Sequence, residues 1–136
     1  MSMNNPYEQY KQTQVATASQ GSLILMLYDA ALGNLRIAAE SIKNKKVSEE
    51  HGALIKCQDI VMELNLSLNM DSGDMAQKLR SLYVYMHERL IQANVRKDVK
   101  IVEEVIVLLS NLYEAWNGII RKGKAAPPTG GINSGA

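Results

Sequence analysis

The side chains with catalytic or metal-binding chemistry are few in this chain and are widely spaced. His51 and His87 are the only histidines, and Cys57 is the only cysteine. A di-iron centre in a helical bundle uses a glutamate three residues before each of two histidines, whereas Ser48 and Val84 occupy those positions here. The spacing therefore argues against such a centre and predicts two surface or boundary histidines.

Cys57 lies in an apolar line of a predicted helix, where cysteine usually behaves as a small hydrophobic residue. The sequence has no phosphate-binding loop, no Gly-x-Ser-x-Gly and no metal-ligand spacing, and Glu103 and Glu104 are expected on a helix surface. A phosphotransfer bundle using His51 is an alternative, but a first-turn position beside Gly52 suits it poorly. We expect neither enzymatic activity nor a cofactor.

Composition narrows the class of protein further. The chain has 136 residues, of which 46% are hydrophobic and 21% charged, with a formal net charge of +1. This is ordinary for one soluble domain and lacks the basic excess of a nucleic-acid binder. One cysteine allows no internal disulfide, the N-terminus shows no secretory signal, and no apolar run approaches the ~20 residues of a membrane span. We expect a cytosolic protein without a membrane span.

The secondary structure is predicted to be entirely helical, since Pro6, Pro127 and Pro128 are the only prolines. Apolar residues at spacings of three and four predict helices over about 22–43, 48–68, 74–93 and 98–122. Short loops between them predict an antiparallel up-down four-helix bundle. The domain prediction is an N-terminal arm or short helix over residues 1–18, the bundle over 19–122, and a flexible Gly- and Pro-containing tail over 123–136.

Several local features refine these helices. Ser48 is predicted as the N-cap of the second helix, with Glu49 and Glu50 favourable at the positive end of its dipole. Asn94 is predicted to end the third helix. The residues predicted to face inward from that helix are Met75, Leu79, Leu82, Met86 and Leu90.

Two helices carry more apolar surface than a bundle core requires. The first contains the run 23–28, LILMLY, in which Ile24 and Tyr28 continue the core spacing while Leu23 and Leu27 lie beside it. The apolar arc of the fourth helix covers roughly 180°, against ~100° for a helix facing one core. The residues of its second line, seven apart, are Val99, Ile106, Tyr113 and Ile120.

This excess has two interpretations. In the first, the first and fourth helices are simply the central pair of the bundle or pair across a homodimer. In the second, they form a groove for an amphipathic helix of another protein. In the second case the arm, with Tyr7, Tyr10 and Val15, covers the groove when the partner is absent. The predicted partner-binding residues are Tyr7, Tyr10, Val15, Leu23, Leu27, Val99, Ile106, Tyr113 and Ile120.

Several fragments, in this order and spacing, resemble the flagellin export chaperone family, FliS. They are 5–12 (NPYEQYKQ), 17–19 (TAS), 23–29 (LILMLYD), 64–69 (LNLSLN), 82–86 (LYVYM), 89–90 (RL), 93–94 (AN) and 114–116 (EAW). The glycine-rich tail is not a recognisable family feature, and Gln20-Gly21 stand where the family often has proline.

The resemblance implies a non-enzymatic cytosolic chaperone. Such proteins bind the disordered C-terminal segment of flagellin, block premature polymerisation and help deliver flagellin to an export gate component of the flagellar type III secretion system. By the same analogy, Tyr7 and Tyr10 take part in covering the groove or in docking at the gate. The alternative is a structural helical-bundle homodimer or adaptor with no flagellin cargo.

Overall fold

Four α-helices make up the part of the chain that the computed structural model describes, residues 20–122. They are α1 (Gln20–Lys43), α2 (Val47–Leu66), α3 (Asp74–Arg96) and α4 (Val99–Lys122), with a short 3-10 turn at Met70–Ser72 between α2 and α3. Links of a few residues join consecutive helices, so neighbours run antiparallel. The predicted all-α four-helix fold is confirmed.

The helices pack in a ring. α1 packs against α2 and α4, and α3 packs against the same two helices, so α1 and α3 lie across the diagonal. The α1/α4 side and the α2/α3 side are therefore opposite sides of the bundle. We call the end that holds residues 44–46 and 97–98 the loop end, and the end where α1 begins and α4 finishes the terminal end.

The core forms one apolar cluster drawn from all four helices. Among the described residues, one segment, Gly21–Lys43 of α1, is long and apolar enough to span a membrane by length and composition. Its line of Ile24, Tyr28, Ala31, Leu35 and Ala38 is at most 1% exposed, however, because the other helices cover it. The apolar residues of this line therefore pack in the bundle core, as their spacing predicted.

Three local predictions were wrong. Ser48 is not the N-cap, because α2 begins at Val47 with Lys46 in the cap position and no side-chain cap bond. Asn94 does not end α3, which continues to Arg96 and stops where Lys97 turns left-handed, at φ 53°. Met75 is 56% exposed while the adjacent Ala76 is buried.

The error at Met75 has a physical cause in the rotation of α3. Tyr83 is buried and its hydroxyl bonds to Tyr28 across the core. A helix that places Tyr83 at the centre turns Ala76, seven residues earlier, inward as well. Leu82 becomes half-buried at the edge, and Met75, again seven residues earlier, reaches solvent.

Candidate partner-binding surface

The start of α1 and the end of α4 approach each other very closely at the terminal end. Gly21 is buried, and a Cβ added there would lie 2.7 Å from Cγ1 of Ile120. At the other end of the same pair, Nζ of Lys43 is 4.0 Å from Oε2 of Glu103. These two contacts define the side of α1 that faces α4.

A buried polar network ties three helices together near this close approach. The hydroxyls of Tyr28 and Tyr83 are 2.7 Å apart, and Nε1 of Trp116 donates to the Tyr28 hydroxyl at 3.1 Å. Burial raises the pKa of both tyrosines above the ordinary value, so both stay neutral at physiological pH. The network satisfies three polar groups that the core would otherwise leave unpaired.

The predicted second line of α4 lies on the side of that helix nearest α1. Val99, Ile106, Tyr113 and Ile120 are all half-buried, and the last three pack against the edge of the core. The structure therefore brings these four predicted residues together in one stripe.

Leu23 and Leu27 lie on a different flank. At 100° per residue they fall on the opposite side of the Ile24–Tyr28 line from Gly21, and therefore toward α2. Leu23 is 9% exposed and Leu27 is half-buried. The structure does not gather them with the α4 stripe.

The α1 residues beside the stripe are ones that the sequence analysis had not singled out. Leu25 is half-buried and Leu32 is buried, and both share the flank of Gly21. A pattern in the sequence could have identified them, because Leu25 and Leu32 follow Gly21 by four and eleven residues, which places all three on one side of a helix. We call the surface formed by Leu25, Leu32, Ile106, Tyr113 and Ile120 the α1/α4 face.

Tyr7, Tyr10 and Val15, the predicted arm residues, lie outside the described residues. The chain preceding Gln20 joins the bundle at the terminal end, where α1 begins. Gln20, the first described residue, therefore lies at the same end of the bundle as Tyr113 and Ile120.

The polar clusters elsewhere in the bundle are structural in character. At the loop end, Glu50 is 1% exposed and its Oε1 lies 2.8 Å from Nζ of Lys97. Lys97 also donates to Oδ1 of Asn94, whose Nδ2 is 2.8 Å from Nδ1 of His51. This chain of contacts joins α2 to the turn between α3 and α4, so His51 is part of a connection between helices.

A second polar cluster bridges α3 and α4 on the surface. Glu104 accepts hydrogen bonds from the Tyr85 hydroxyl and from Nε of Arg89. The Tyr85 bond and then the Arg89 contact lower the pKa of Glu104, and the same bond raises the pKa of Tyr85. Because the side chains are solvent-accessible, this cluster contributes little to stability.

Cys57 is fully buried in the α2 core line, as predicted, with Sγ 3.8 Å from the carbonyl oxygen of Ala31. Burial raises the pKa of its thiol to about 12. No group of three or more His, Cys, Asp or Glu side chains within residues 20–122 is arranged to hold a metal ion.

Fold and surface together define a four-helix bundle with apolar side chains along the contact between α1 and α4. The model of the family described as Flagellar protein FliS matches residues 3–123. The chain belongs to this family of flagellar secretion chaperones, which confirms the resemblance found in the sequence.

Curated relatives carry the same description. The chain is 37% identical over 121 residues to the flagellar secretion chaperone FliS of Bacillus subtilis, covering 89% of this chain and 90% of the relative. It is 38% identical over 107 residues to that of Escherichia coli, covering 77% and 79%. For Salmonella typhimurium the identity is 39% over 114 residues, covering 82% and 84%.

Proposed function

We propose that this protein is a cytoplasmic export chaperone that binds the disordered C-terminal segment of flagellin. Binding there prevents premature polymerisation, and the complex is delivered to a component of the flagellar type III export gate. Family membership supports the chaperone class. The observation that carries the cargo assignment is the α1/α4 face, where the half-buried apolar side chains of Leu25, Ile106, Tyr113 and Ile120 lie at the edge of the core beside the buried Leu32.

The chemistry of this face suits such a cargo. An amphipathic segment that is disordered when free gains helix as it packs its apolar side into an apolar groove. Ordering the segment costs a few kcal/mol of the gross interaction energy, so the complex can be specific and still release its cargo. The one buried charged side chain among the described residues is that of Glu50, near the loop end of α2, so the α1/α4 face holds no buried charge that the cargo must neutralise.

The arm enters the proposal as a reversible cover. Tyr7, Tyr10 and Val15 occupy the α1/α4 face in the free protein, with Leu23 and Leu27 contacting the arm where it joins α1. A cover lowers the apparent affinity for cargo in proportion to the time it is docked. It also shields apolar surface from self-association.

Calorimetry with a flagellin C-terminal peptide tests the cargo assignment. Ile106→Ser removes an apolar contact from the α1/α4 face, whereas Val107→Ser changes a neighbouring side chain that is 58% exposed and points away from it. We expect a 1:1 complex with gain of helix, an affinity at least about tenfold weaker for Ile106→Ser, and no change for Val107→Ser. Circular dichroism establishes that both variants remain folded.

Two results would reject the assignment. Absence of binding at micromolar concentrations removes flagellin as the cargo. A concentration-independent dimer in sedimentation that excludes the peptide indicates instead that the α1/α4 face is buried between two copies of the chain.

A further inference from the structure

The side of the bundle opposite the α1/α4 face carries a repeated sequence pattern on two neighbouring helices. In α2 an apolar residue is followed by a carboxylate four positions later and by a second apolar residue three positions after that. The same pattern occurs in α3. We call this surface the α2/α3 face; its residues are Ile55, Asp59 and Met62 of α2 and Val84, Glu88 and Ile91 of α3.

The two copies of the pattern lie in matched register. Met62 and Val84 line the same cavity of about 120 Å³ between the helices, together with Glu88. Toward the loop end, the contact of His51 with Asn94 fixes the antiparallel alignment. Ile55 and Ile91, each seven residues further along, are therefore opposite each other.

The four apolar side chains are exposed to nearly the same extent. Met62 and Ile55 are each 39% exposed, Ile91 is 41% and Val84 is 44%. Seven-residue spacing on two adjacent helices creates a groove that matches the apolar seam of a third helix. The core does not need these residues, because Val61 and Tyr83 already fill the space behind them at no more than 1% exposure.

The charges on the groove edges indicate the kind of partner. Asp59 and Glu88 are exposed, and neither forms an ion pair with another residue in the range 20–122. A second copy of this chain docked face to face would bring like charges together, which is unfavourable. A helix with lysine or arginine beside its apolar seam would instead be attracted to both edges.

We propose that the α2/α3 face binds an amphipathic helix of another protein, with apolar residues seven positions apart and basic residues on both flanks. This site is separate from the proposed cargo surface, because the two faces are on opposite sides of the ring of helices. The chaperone then holds two partners at once.

A designed peptide of about three heptads, with leucine along the seam and lysine on both flanks, serves as the probe. A second peptide of the same design carries glutamate in place of lysine. Fluorescence anisotropy with the full chain measures binding of each at low and high salt. We expect the lysine peptide to bind, to weaken as salt rises, and to bind at least about tenfold more tightly than the glutamate peptide.

Charge reversal on the chaperone locates the site. The double variant Asp59→Lys/Glu88→Lys should weaken the lysine peptide by about tenfold or more, and Met62→Gln/Ile91→Gln should weaken both peptides. The matched control is Asp29→Lys/Glu114→Lys, which reverses two exposed carboxylates on other helices and should leave binding unchanged.

Three outcomes would overturn the proposal. The first is an equal loss of peptide binding in the control variant and in the Asp59/Glu88 variant. The second is a loss of peptide binding only when Ile106 of the α1/α4 face is changed to serine. The third is a dimer of the free chain that dissociates in the Met62→Gln/Ile91→Gln variant. None of these measurements uses flagellin, so failure here is distinguishable from failure of the proposed cargo.

Discussion

The two ends of the bundle are held together by different interactions. At the loop end, a buried carboxylate, Glu50, pairs with Lys97 across the turn between α3 and α4. At the terminal end, neutral hydroxyl and indole groups of Tyr28, Tyr83 and Trp116 connect three helices. Neutral polar groups have a small desolvation cost once they are hydrogen-bonded to each other, whereas a buried charge depends on its partner to offset a large one.

The difference between the two ends bears on the proposed function. The loop end is closed by short links and polar contacts, and its charged pair is intolerant of displacement. The terminal end keeps its polar network inside the core and places half-buried apolar side chains, including Tyr113 and Ile120, outside it. The proposed exchange of an arm for a cargo suits the terminal end, because apolar contacts are non-directional.

The largest effect on stability is expected from Trp116→Ala at the terminal end. The indole is 4% exposed and donates to Tyr28, so truncation leaves a cavity and an altered network. We expect a loss of roughly 3–5 kcal/mol in the free energy of unfolding, measured by urea denaturation followed by circular dichroism. Val107→Ala, on an exposed side of the same helix, is the control; a loss below about 1 kcal/mol for Trp116→Ala would contradict the network.

At the loop end, Lys97→Met should cost about 3 kcal/mol, because it leaves the carboxylate of Glu50 buried without its partner. Lys45→Met is a matched control, since Lys45 is also a lysine with positive φ in a link between helices, but Lys45 is exposed to solvent. We expect denaturation midpoints to separate the two variants clearly. Equal, small effects would mean that the loop end does not depend on its ion pair.

The polar network predicts which of two conservative substitutions, Tyr28→Phe and Tyr83→Phe, lowers the free energy of unfolding more. Tyr28→Phe removes the hydroxyl that contacts both the Tyr83 hydroxyl and Nε1 of Trp116, so it breaks two hydrogen bonds at a cost of about 2 kcal/mol. Tyr83→Phe leaves the Trp116 bond intact and should cost about 1 kcal/mol. The reversed order in thermal or urea unfolding would show that Tyr28 is not the centre of the network.

Alkaline pH perturbs the core that the two ends share. The Cys57 thiol has its pKa raised from 9.0 to about 12, so the unfolded chain loses this proton first as pH rises. The contribution of this thiol to stability is therefore fully present below about pH 9 and falls by up to ~1.4 kcal/mol per pH unit between its pKa in the unfolded chain and its pKa in the folded chain; the buried tyrosines add their own decline at higher pH. Cys57→Ala should show a shallower decline in urea titrations; an identical decline would exclude the thiol as its cause.

The smallest effect on stability is expected from Tyr10→Ala in the arm. We expect a change below about 0.5 kcal/mol in unfolding free energy together with altered binding of the flagellin peptide. Thermal unfolding and calorimetry on the same sample measure the two quantities. A large loss of thermal stability would place Tyr10 in the core and contradict the covering role.

Apolar spacing was sufficient to predict the four helices and most of the core. Ile24 and Tyr28 were assigned correctly because their positions depend only on the helical repeat within one chain segment. The rotation of α3 could not be predicted in the same way. Two adjacent apolar lines, through Met75 and through Ala76, were both available, and the choice depends on the bond between Tyr83 and Tyr28.

The same limit applies to the candidate surfaces. Glu49 and Glu50 both suit the start of a helix by sequence, but only Glu50 meets Lys97 in space and is buried. Leu23 and Leu27 are as apolar as Leu25, yet the flank that faces α4 is set by contacts such as that of Gly21 with Ile120. These relations between helices are not encoded in the periodicity of any one of them.

Hydrogen exchange of the free chain and of its complex with a flagellin C-terminal peptide tests the central claim most directly. The method reports local opening at each amide. We predict that the peptide increases protection more strongly at the terminal end, in the first turns of α1 and around Tyr113–Ile120 of α4, than at residues 44–46 and 97–98. A larger gain at the loop end, or no gain at either end, would contradict the assignment of the cargo surface.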